Sequence, residues 1–264
     1  MTVRLIAADM DGTLLDSNKN LSPYLFDLVK KLKEKNIKFA IASGRQYFNL
    51  LEKFKDIKED LVYISDNGSI VYDKGQSIYV DEIDKEEVKK ALKDVRKGKG
   101  MYPILCGVES AYIENNNELF LKNARMYYAK LDIVEDLMDI LDKDKICKLA
   151  VFDEIDAEKN SFELLKKYNK NLMVCLSGHN WVDLMNTGVN KGEAIKIIQE
   201  KYNISYDETM AFGDYLNDYE MMQSCKYNYA MENAHPRLKE ICNYRARSND
   251  DDGVVNALRE YFEL

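Results

Sequence analysis

The sequence predicts an α/β protein whose parallel-sheet core is split in two by an inserted α+β segment. Three observations carry this. Short apolar runs alternate with amphipathic helical patterns at both ends of the chain, as βαβ units require. The middle of the chain instead reads as strand pairs and helices on an antiparallel sheet. A length of 264 residues favours two domains over one, since domains cluster around 100 to 200 residues.

The elements follow in order. "VRLIAAD", residues 3–9, is a short apolar run and reads as a strand buried on both faces. In "LSPYLFDLVKKLKEKN" Ser22 is expected to cap a helix, Pro23 suits its first turn, and Leu25, Leu28, Val29 and Leu32 line one face. "KFAIASGR" supplies a second buried strand ending at Ser43, a helix follows from Gln46, and "LVYISDNG" offers a third strand. "SIVYDKGQSIYVDEI" reads as two short strands around the turn from Asp73 to Gln76, leading out of the first domain. From there the pattern predicts a helix over 85–97, hairpin strands around Pro103 and Tyr112, and a helical stretch near 132–142. A strand "KLAVFD", a helix "SFELLKKYN" and strands "LMVCLS" and "WVDLM" complete the insert. Parallel character then returns. "KGEAIKIIQEKYN" is a helix, "TMAFGD" a buried strand, "DYEMMQSC" a short helix, "YNYAM" a strand, "HPRLKEIC" a helix and "GVVNALREYF" the closing helix. Residues 1–82 and 187–264 are therefore expected to form one core, and 83–186 the inserted domain.

Composition narrows the partners. The 46 acids against 38 bases give a net charge of −8, a poor basis for gripping nucleic acid or an anionic bilayer, so small molecules are the expected ligands. The basic run "KEEVKKALKDVRKGKG" contains Val88, Leu92 and Val95 at helical spacing and reads as an amphipathic helix with a solvated face. Five cysteines are odd in number, scattered, and never form C-x-x-C, which fits a reducing compartment. With no secretory pattern at the amino terminus and no membrane-length apolar run, a cytoplasmic location is expected. Oligomeric state is not legible.

In a doubly wound sheet, ligands sit beyond the carboxyl ends of the strands. Three candidate strands end in notable groups: Asp9, Met10 and Asp11; Ser43, Gly44 and Arg45; and Asp214, Asn217 and Asp218. Lys191 joins them from the helix start "GVNKGEA". Two unit charges about 4 Å apart interact by roughly 4 kcal/mol at an effective dielectric near 20, so four acids in one crevice call for a cation. Oxygen-only donors select a hard ion, and Mg²⁺ typically combines one or two carboxylates with phosphate oxygens. Taken singly, an Asp at a strand end is commonly only a turn former. Four such motifs in one order are not so easily dismissed.

"DMDGT" after an apolar strand, "SGR" after the second, a later "NKG", and "GDYLND" closing another strand resemble, in that order, the haloacid dehalogenase-like phosphatases. The insert between the second and third motifs resembles the large C2-type cap of the Cof-type branch, so the resemblance covers essentially the whole chain. It implies a Rossmann-like core with an α+β cap. The implied activity is Mg²⁺-dependent phosphomonoester hydrolysis, through an aspartyl-phosphate, on small phosphorylated metabolites, foremost sugar phosphates. Asp9 would be the nucleophile and Asp11 the general acid and base, with a pKa raised by neighbouring negative charge. Asp9, the backbone carbonyl of Asp11, and Asp214 would ligate Mg²⁺, with Asp218 supporting the site from behind. Ser43, Lys191, Asn217 and the amides of Met10 and Gly44 would hold phosphate oxygens, and Gly12 would let the turn fold tightly. "SDNG" resembles the family's third-strand end and sets Asn67 beside Arg45 at the border of the site. Hinges near 82–84 and 186–189 would let the cap close. Tyr215 departs from the pattern, which has a small or amide residue there. A phosphomutase or phosphotransferase would share the first half-reaction, and a receiver-like phospho-acceptor module the strand-end Asp; neither the insert nor Asp11 is explained by the latter. His235 before Pro236 reads as a helix-start residue, and the acids of "NDDDG" as complements to the positive end of the last helix.

Overall fold

A computed structural model describes residues 3–264. The chain divides into two compact units, Met1–Tyr79 with Asn190–Leu264, and Val80–Val189. The first unit begins with strands β1 (Leu5–Asp9), β2 (Lys38–Ala42), β3 (Leu61–Ser65), β4 (Ile70–Asp73) and β5 (Gln76–Val80), with helix α1 (Tyr24–Glu34) between β1 and β2 and helix α2 (Tyr47–Lys53) between β2 and β3. After the second unit the chain returns as α6 (Lys191–Tyr202), β12 (Thr209–Gly213), α7 (Tyr219–Gln223), β13 (Tyr227–Met231), α8 (Pro236–Ile241), β14 (Tyr244–Ala246) and α9 (Gly253–Phe262). The sheet order is β14-β13-β12-β1-β2-β3-β4-β5. The six strands from β14 through β3 run parallel, and β4 turns antiparallel to β3. The chain thus winds outward from β1 in both directions, and the switch of direction lies between β1 and β12, where such folds open a ligand crevice. Among the described residues no helix is long and apolar enough to cross a membrane.

Local chemistry explains the elements. All five residues of β1 are buried, as a strand covered on both faces demands. Helix α1 buries Leu25, Leu28, Val29 and Leu32 along one stripe. Its start differs from expectation: Pro23 itself is the cap residue with helical dihedrals, and Ser22 stands one position earlier, its Oγ accepting from the Tyr24 amide at 3.4 Å. Its end is a Schellman arrangement, with Asn36 at φ +58° and the Ile37 amide donating to the Leu32 carbonyl at 2.9 Å.

The second unit contains β6 (Met101–Gly107), β7 (Ala111–Ile113), β8 (Leu131–Ile133), β9 (Ile146–Asp153), β10 (Leu172–Gly178) and β11 (Trp181–Asn186), with helices α3 (Lys85–Val95), α4 (Glu118–Tyr127) and the single turn α5 (Glu163–Leu165). The sheet order is β10-β11-β9-β6-β7-β8. It is antiparallel except for β7 and β8, which pair in parallel, against the expectation of an antiparallel sheet throughout. Val88, Ala91, Leu92 and Val95 of α3 pack with Leu105, Leu149, Val151 and Leu184. Strand alternation turns Tyr102 and Phe152 the other way. There Phe120 of α4 stacks on them, with ring centroids 5.0 and 6.0 Å apart.

Two expected helices fail here, and two elements appear that the sequence pattern does not announce. The stretch near 132–142 is not a helix: β8 takes its first residues, and a 3₁₀ turn, Leu137–Ile140, follows, with the Asp136 carboxylate accepting from the Met138 amide. "SFELLKKYN" breaks into a π turn, α5 and a 3₁₀ turn instead of one helix. Helix α4 was not anticipated, because its start lies in the polar run ending at Asn117, whose side chain caps it by accepting from the Phe120 amide at 3.1 Å. In the first unit β14 also escaped notice, being three residues of mostly exposed edge strand.

The end of β9 generates a stability test. Asp153 is buried and accepts from the amides of Ile155, Asp156 and Ser161 and from Asn160 Nδ2, at 2.9, 3.1, 2.9 and 3.2 Å. Burial alone would raise its pKa, but these hydrogen bonds prevail and hold it below the ordinary value. Its contribution is therefore complete above the unfolded carboxylate pKa near 3.9 and fades as pH falls through the lower folded value. Asp153→Ala should destabilise the unit by about 2–4 kcal/mol at pH 7, by stranding several donors. Its deficit should shrink below about pH 4. Urea titration followed by the fluorescence of Trp181, the sole tryptophan, checks both; equal midpoints at pH 7 would contradict the assignment.

Candidate active site

Register places the site. Asp9 lies beside Ala42, Ala8 beside Phe212, and Ala42 beside Ile64. The carboxyl ends of β1, β2, β3 and β12 are therefore level, and the residues just past them share one edge. Asp9, Ser43, Asn67 and Asp214 all come from this edge.

Lys191 arrives from the opposite half of the chain. It is the first residue of α6, whose cap Asn190 accepts from the Glu193 amide at 2.9 Å. Gly68, at φ +107°, lets the loop after β3 meet that cap, since a Cβ there would stand 2.3 Å from the Asn190 carbonyl oxygen. The Lys191 ammonium is fully buried and donates to Asp9 Oδ1 at 2.5 Å and Asp218 Oδ1 at 2.7 Å. Burial would lower its pKa, but Asp218 and Asp9 more than reverse this, so it stays charged.

Asp218 Oδ2 accepts from the amides of Asp214 and Tyr215 at 3.0 and 3.2 Å. This carboxylate is committed to Lys191 and to the loop after β12. Asp9, Asp214 and Asp218 each present an oxygen within 4.8 Å of the others. Thr13 Oγ1 donates to Asp214 Oδ1 at 3.0 Å. Gly12, at φ +82°, leaves the room Asp214 uses: a Cβ would fall 2.4 Å from its Oδ2. Burial raises the pKa of Asp9 well above its ordinary value, with Lys191 opposing and Asp218 and Asp214 reinforcing. Burial and Asp218 push Asp214 up to about 6. Three carboxylates against one ammonium leave negative charge uncompensated. An all-oxygen donor set of this kind fits a hard divalent cation.

Asp11 points into different company. Arg45 holds it bidentately, Nε to Oδ2 at 3.0 Å and the second guanidinium nitrogen to Oδ1 at 2.8 Å, and Lys19 Nζ adds a contact to Oδ1 at 3.1 Å. Burial pushes its pKa up, but hydrogen bonds from Arg45 and Lys19 outweigh that and bring it below the ordinary value. This corrects the expectation of a raised pKa: the neighbours that decide it are two cations, not the acids around Asp9.

The remaining residues border these two clusters. Ser43 is buried, its Oγ accepting from the Arg45 amide at 3.2 Å, and its carbonyl accepts from the Asn67 amide at 3.0 Å. Asp66 and Asn67 both adopt left-handed φ, +47° and +56°. A Cβ on Gly44 would lie 3.1 Å from the Asn67 amide group. Asn217 is exposed and donates to Asn67 Oδ1 at 3.3 Å. Met10 is buried, and its carbonyl accepts from the amides of Leu14 and Leu15. The Tyr215 ring is 58% exposed and meets the His235 ring edge-on at 5.6 Å. His235 is structural: its amide donates to the Asp214 carbonyl at 2.7 Å and its Nδ1 caps α8. Among the acids of "NDDDG", Asp250 binds Ser17 rather than facing the start of α9 alone.

Two residues of this edge were missed by sequence reasoning. Thr13 lay inside the quoted "DMDGT" without a role. Lys19 carried no signal, being one lysine in a polar loop.

Residues 6–258 match the family of haloacid dehalogenase-like hydrolases. An Escherichia coli protein named 5-amino-6-(5-phospho-D-ribitylamino)uracil phosphatase YbjI is 30% identical over 261 residues, covering 98% of this chain and 96% of its own. A Bacillus subtilis protein of the same activity name, YitU, is 26% identical over 271 residues, covering 98% of each. Among solved structures, a Thermotoga maritima protein superposes with a TM-score of 0.88 at 26% identity over 98% of this chain and 97% of its own.

Removing the buried ammonium tests the electrostatics. Lys191→Met should destabilise the protein by about 3–5 kcal/mol, because it leaves two buried carboxylates facing each other unpaired. Denaturant titration followed by circular dichroism measures this, and a loss below about 1 kcal/mol would show that the pair carries no such burden.

Proposed function

Because the chain belongs to the haloacid dehalogenase-like hydrolases, we propose that it is a phosphatase that hydrolyses small phosphate monoesters with Mg²⁺ and an aspartyl-phosphate intermediate. The observation that carries this is the convergence of Asp9, Asp214, Asp218 and Lys191 beyond the ends of β1 and β12. Asp9, the Asp11 carbonyl and Asp214 would hold the ion, with Asp218 behind them. Mg²⁺ bound there neutralises carboxylate and phosphate charge.

The chain's own residues perform the transfer. An Asp9 carboxylate oxygen attacks phosphorus and forms an acyl-phosphate bond as the ester P–O bond breaks; Asp11 gives the leaving oxygen a proton. Water then attacks the phosphorus, Asp11 takes its proton, and inorganic phosphate departs, restoring Asp9. Since Arg45 and Lys19 favour the Asp11 carboxylate in its charged form, the negative charge that favours its protonation has to arrive with the ester. Ser43, Asn217, Lys191 and the amides of Met10 and Gly44 hold the phosphate oxygens, because phosphoryl transfer is catalysed chiefly by alignment and charge neutralisation. Arg45 and Asn67 line the edge where the leaving group emerges. Sugar phosphates and phosphorylated sugar alcohols are the substrate class, the latter being the ester in the activity name of the two curated relatives.

A panel of sugar phosphates, assayed for released phosphate with Mg²⁺ and with chelator, tests the reading. Metal-dependent release is expected, abolished in Asp9→Asn and slowed by about 10²- to 10⁴-fold in Asp11→Asn. Full activity in Asp9→Asn would end the proposal. Gly12→Ala should weaken Mg²⁺ binding at least about tenfold by displacing Asp214, a loss readable by calorimetry without turnover.

A further inference from the structure

We propose that Lys19 is a positioning residue: together with Arg45 it holds the Asp11 carboxylate in line for proton transfer to the leaving group. This rests on the phosphatase reading above, and goes beyond it in recruiting a loop residue that no motif marks.

The geometry carries the inference. Asp11 is gripped from two separate elements. Arg45, just past β2, fixes the plane of the carboxylate through both oxygens, and Lys19, in the loop after β1, adds a third donor on Oδ1. The loop is built to deliver that donor. Leu15 bridges to both Asp11 and Leu21. Inside this, Asp16 and Asn20 close a turn: the Asp16 amide donates to the Asn20 carbonyl at 3.0 Å, the Asn20 amide to Asp16 Oδ1 at 2.7 Å, and the Lys19 amide to the Asp16 carbonyl at 2.9 Å. Lys53 Nζ ties down the Lys19 carbonyl at 2.6 Å, and Asp250 holds both the amide and the hydroxyl of Ser17 at 2.7 and 2.8 Å.

At the tip, Lys19 adopts φ +65°, a conformation unfavourable for a residue that is neither Gly nor Asn. The bland alternative is a surface ion pair, and the Lys19 side chain is 62% exposed. Such a pair adds little stability, too little to account for a left-handed lysine anchored on three sides. Placement of the ammonium against Asp11 accounts for it.

A group that aligns a proton donor matters most when the leaving oxygen needs the proton. Phenyl phosphate and p-nitrophenyl phosphate are close in shape but differ in that need, since nitrophenolate leaves readily as an anion. In Lys19→Met, kcat/KM measured with Mg²⁺ across a pH profile and compared at each protein's own optimum, so that a change in Asp11 protonation is taken out, should fall about tenfold on phenyl phosphate and no more than about twofold on p-nitrophenyl phosphate. Lys19→Arg should restore both to within about twofold. Equal losses on the two esters, no loss on either, or failure of the arginine to rescue would overturn the positioning role while leaving the phosphatase reading intact. A wild-type protein inert toward both esters and toward the sugar-phosphate panel alike would overturn the phosphatase reading and this inference with it.

Discussion

One ammonium buried between two carboxylates organises the first unit of this protein. A lysine excluded from water is tolerable only if its charge is met, and two buried acids only if theirs is. Lys191, Asp9 and Asp218 satisfy that condition together. The requirement joins three elements far apart in the chain: the end of β1, the start of α6 and the loop after β12. Asp218 extends the link, since its second oxygen organises the backbone that carries Asp214. Asn190 and Gly68 serve the same end, one starting the helix and the other letting the strand end approach it.

That balance is deliberately incomplete in charge. With Asp214 included, the acids outnumber the ammonium; burial raises the pKa of Asp9 and of Asp214, and the neighbouring acids reinforce it. Asp11, only two residues from Asp9, is shifted the other way by Arg45 and Lys19. Two carboxylates close in sequence thus occupy different electrostatic surroundings, which is the usual way for one site to give like groups unlike duties. Here the division suits the two proposed roles, one acid attacking phosphorus and the other carrying a proton.

Legibility varied with how local the cause was. Helix α1 could be read because its apolar spacing states which face is buried, and β1 because an unbroken apolar run has no exposed face to spare. Helix α4 could not, because a polar run before it resembles a loop until Asn117 is seen to cap it. The stretch 132–142 misled in the opposite sense: its apolar residues match a helical period, yet β7 captures Asp132 and Ile133 with Leu131 as a parallel strand and Asp136 starts a tighter turn. Strand β14 exists only because β13 offers it an edge. For β8 and β14 a tertiary partner overrode a weak local preference, whereas α4 and the turn after Asp136 rest on local caps.

The sequence by itself determined the alternation of strands and helices in the first unit and the acids that end its strands. These follow from burial and chain direction, which leave their trace in residue order. It also determined Gly12, whose freedom at positive φ the tight turn needs. Only the tertiary structure decided which charges face one another. That Asp11 meets Arg45 and Lys19 rather than other acids depends on a turn held by Asp16, Asn20, Lys53 and Asp250. Coulomb forces act through space, and the spacing of charges along a chain does not record their distances once it folds.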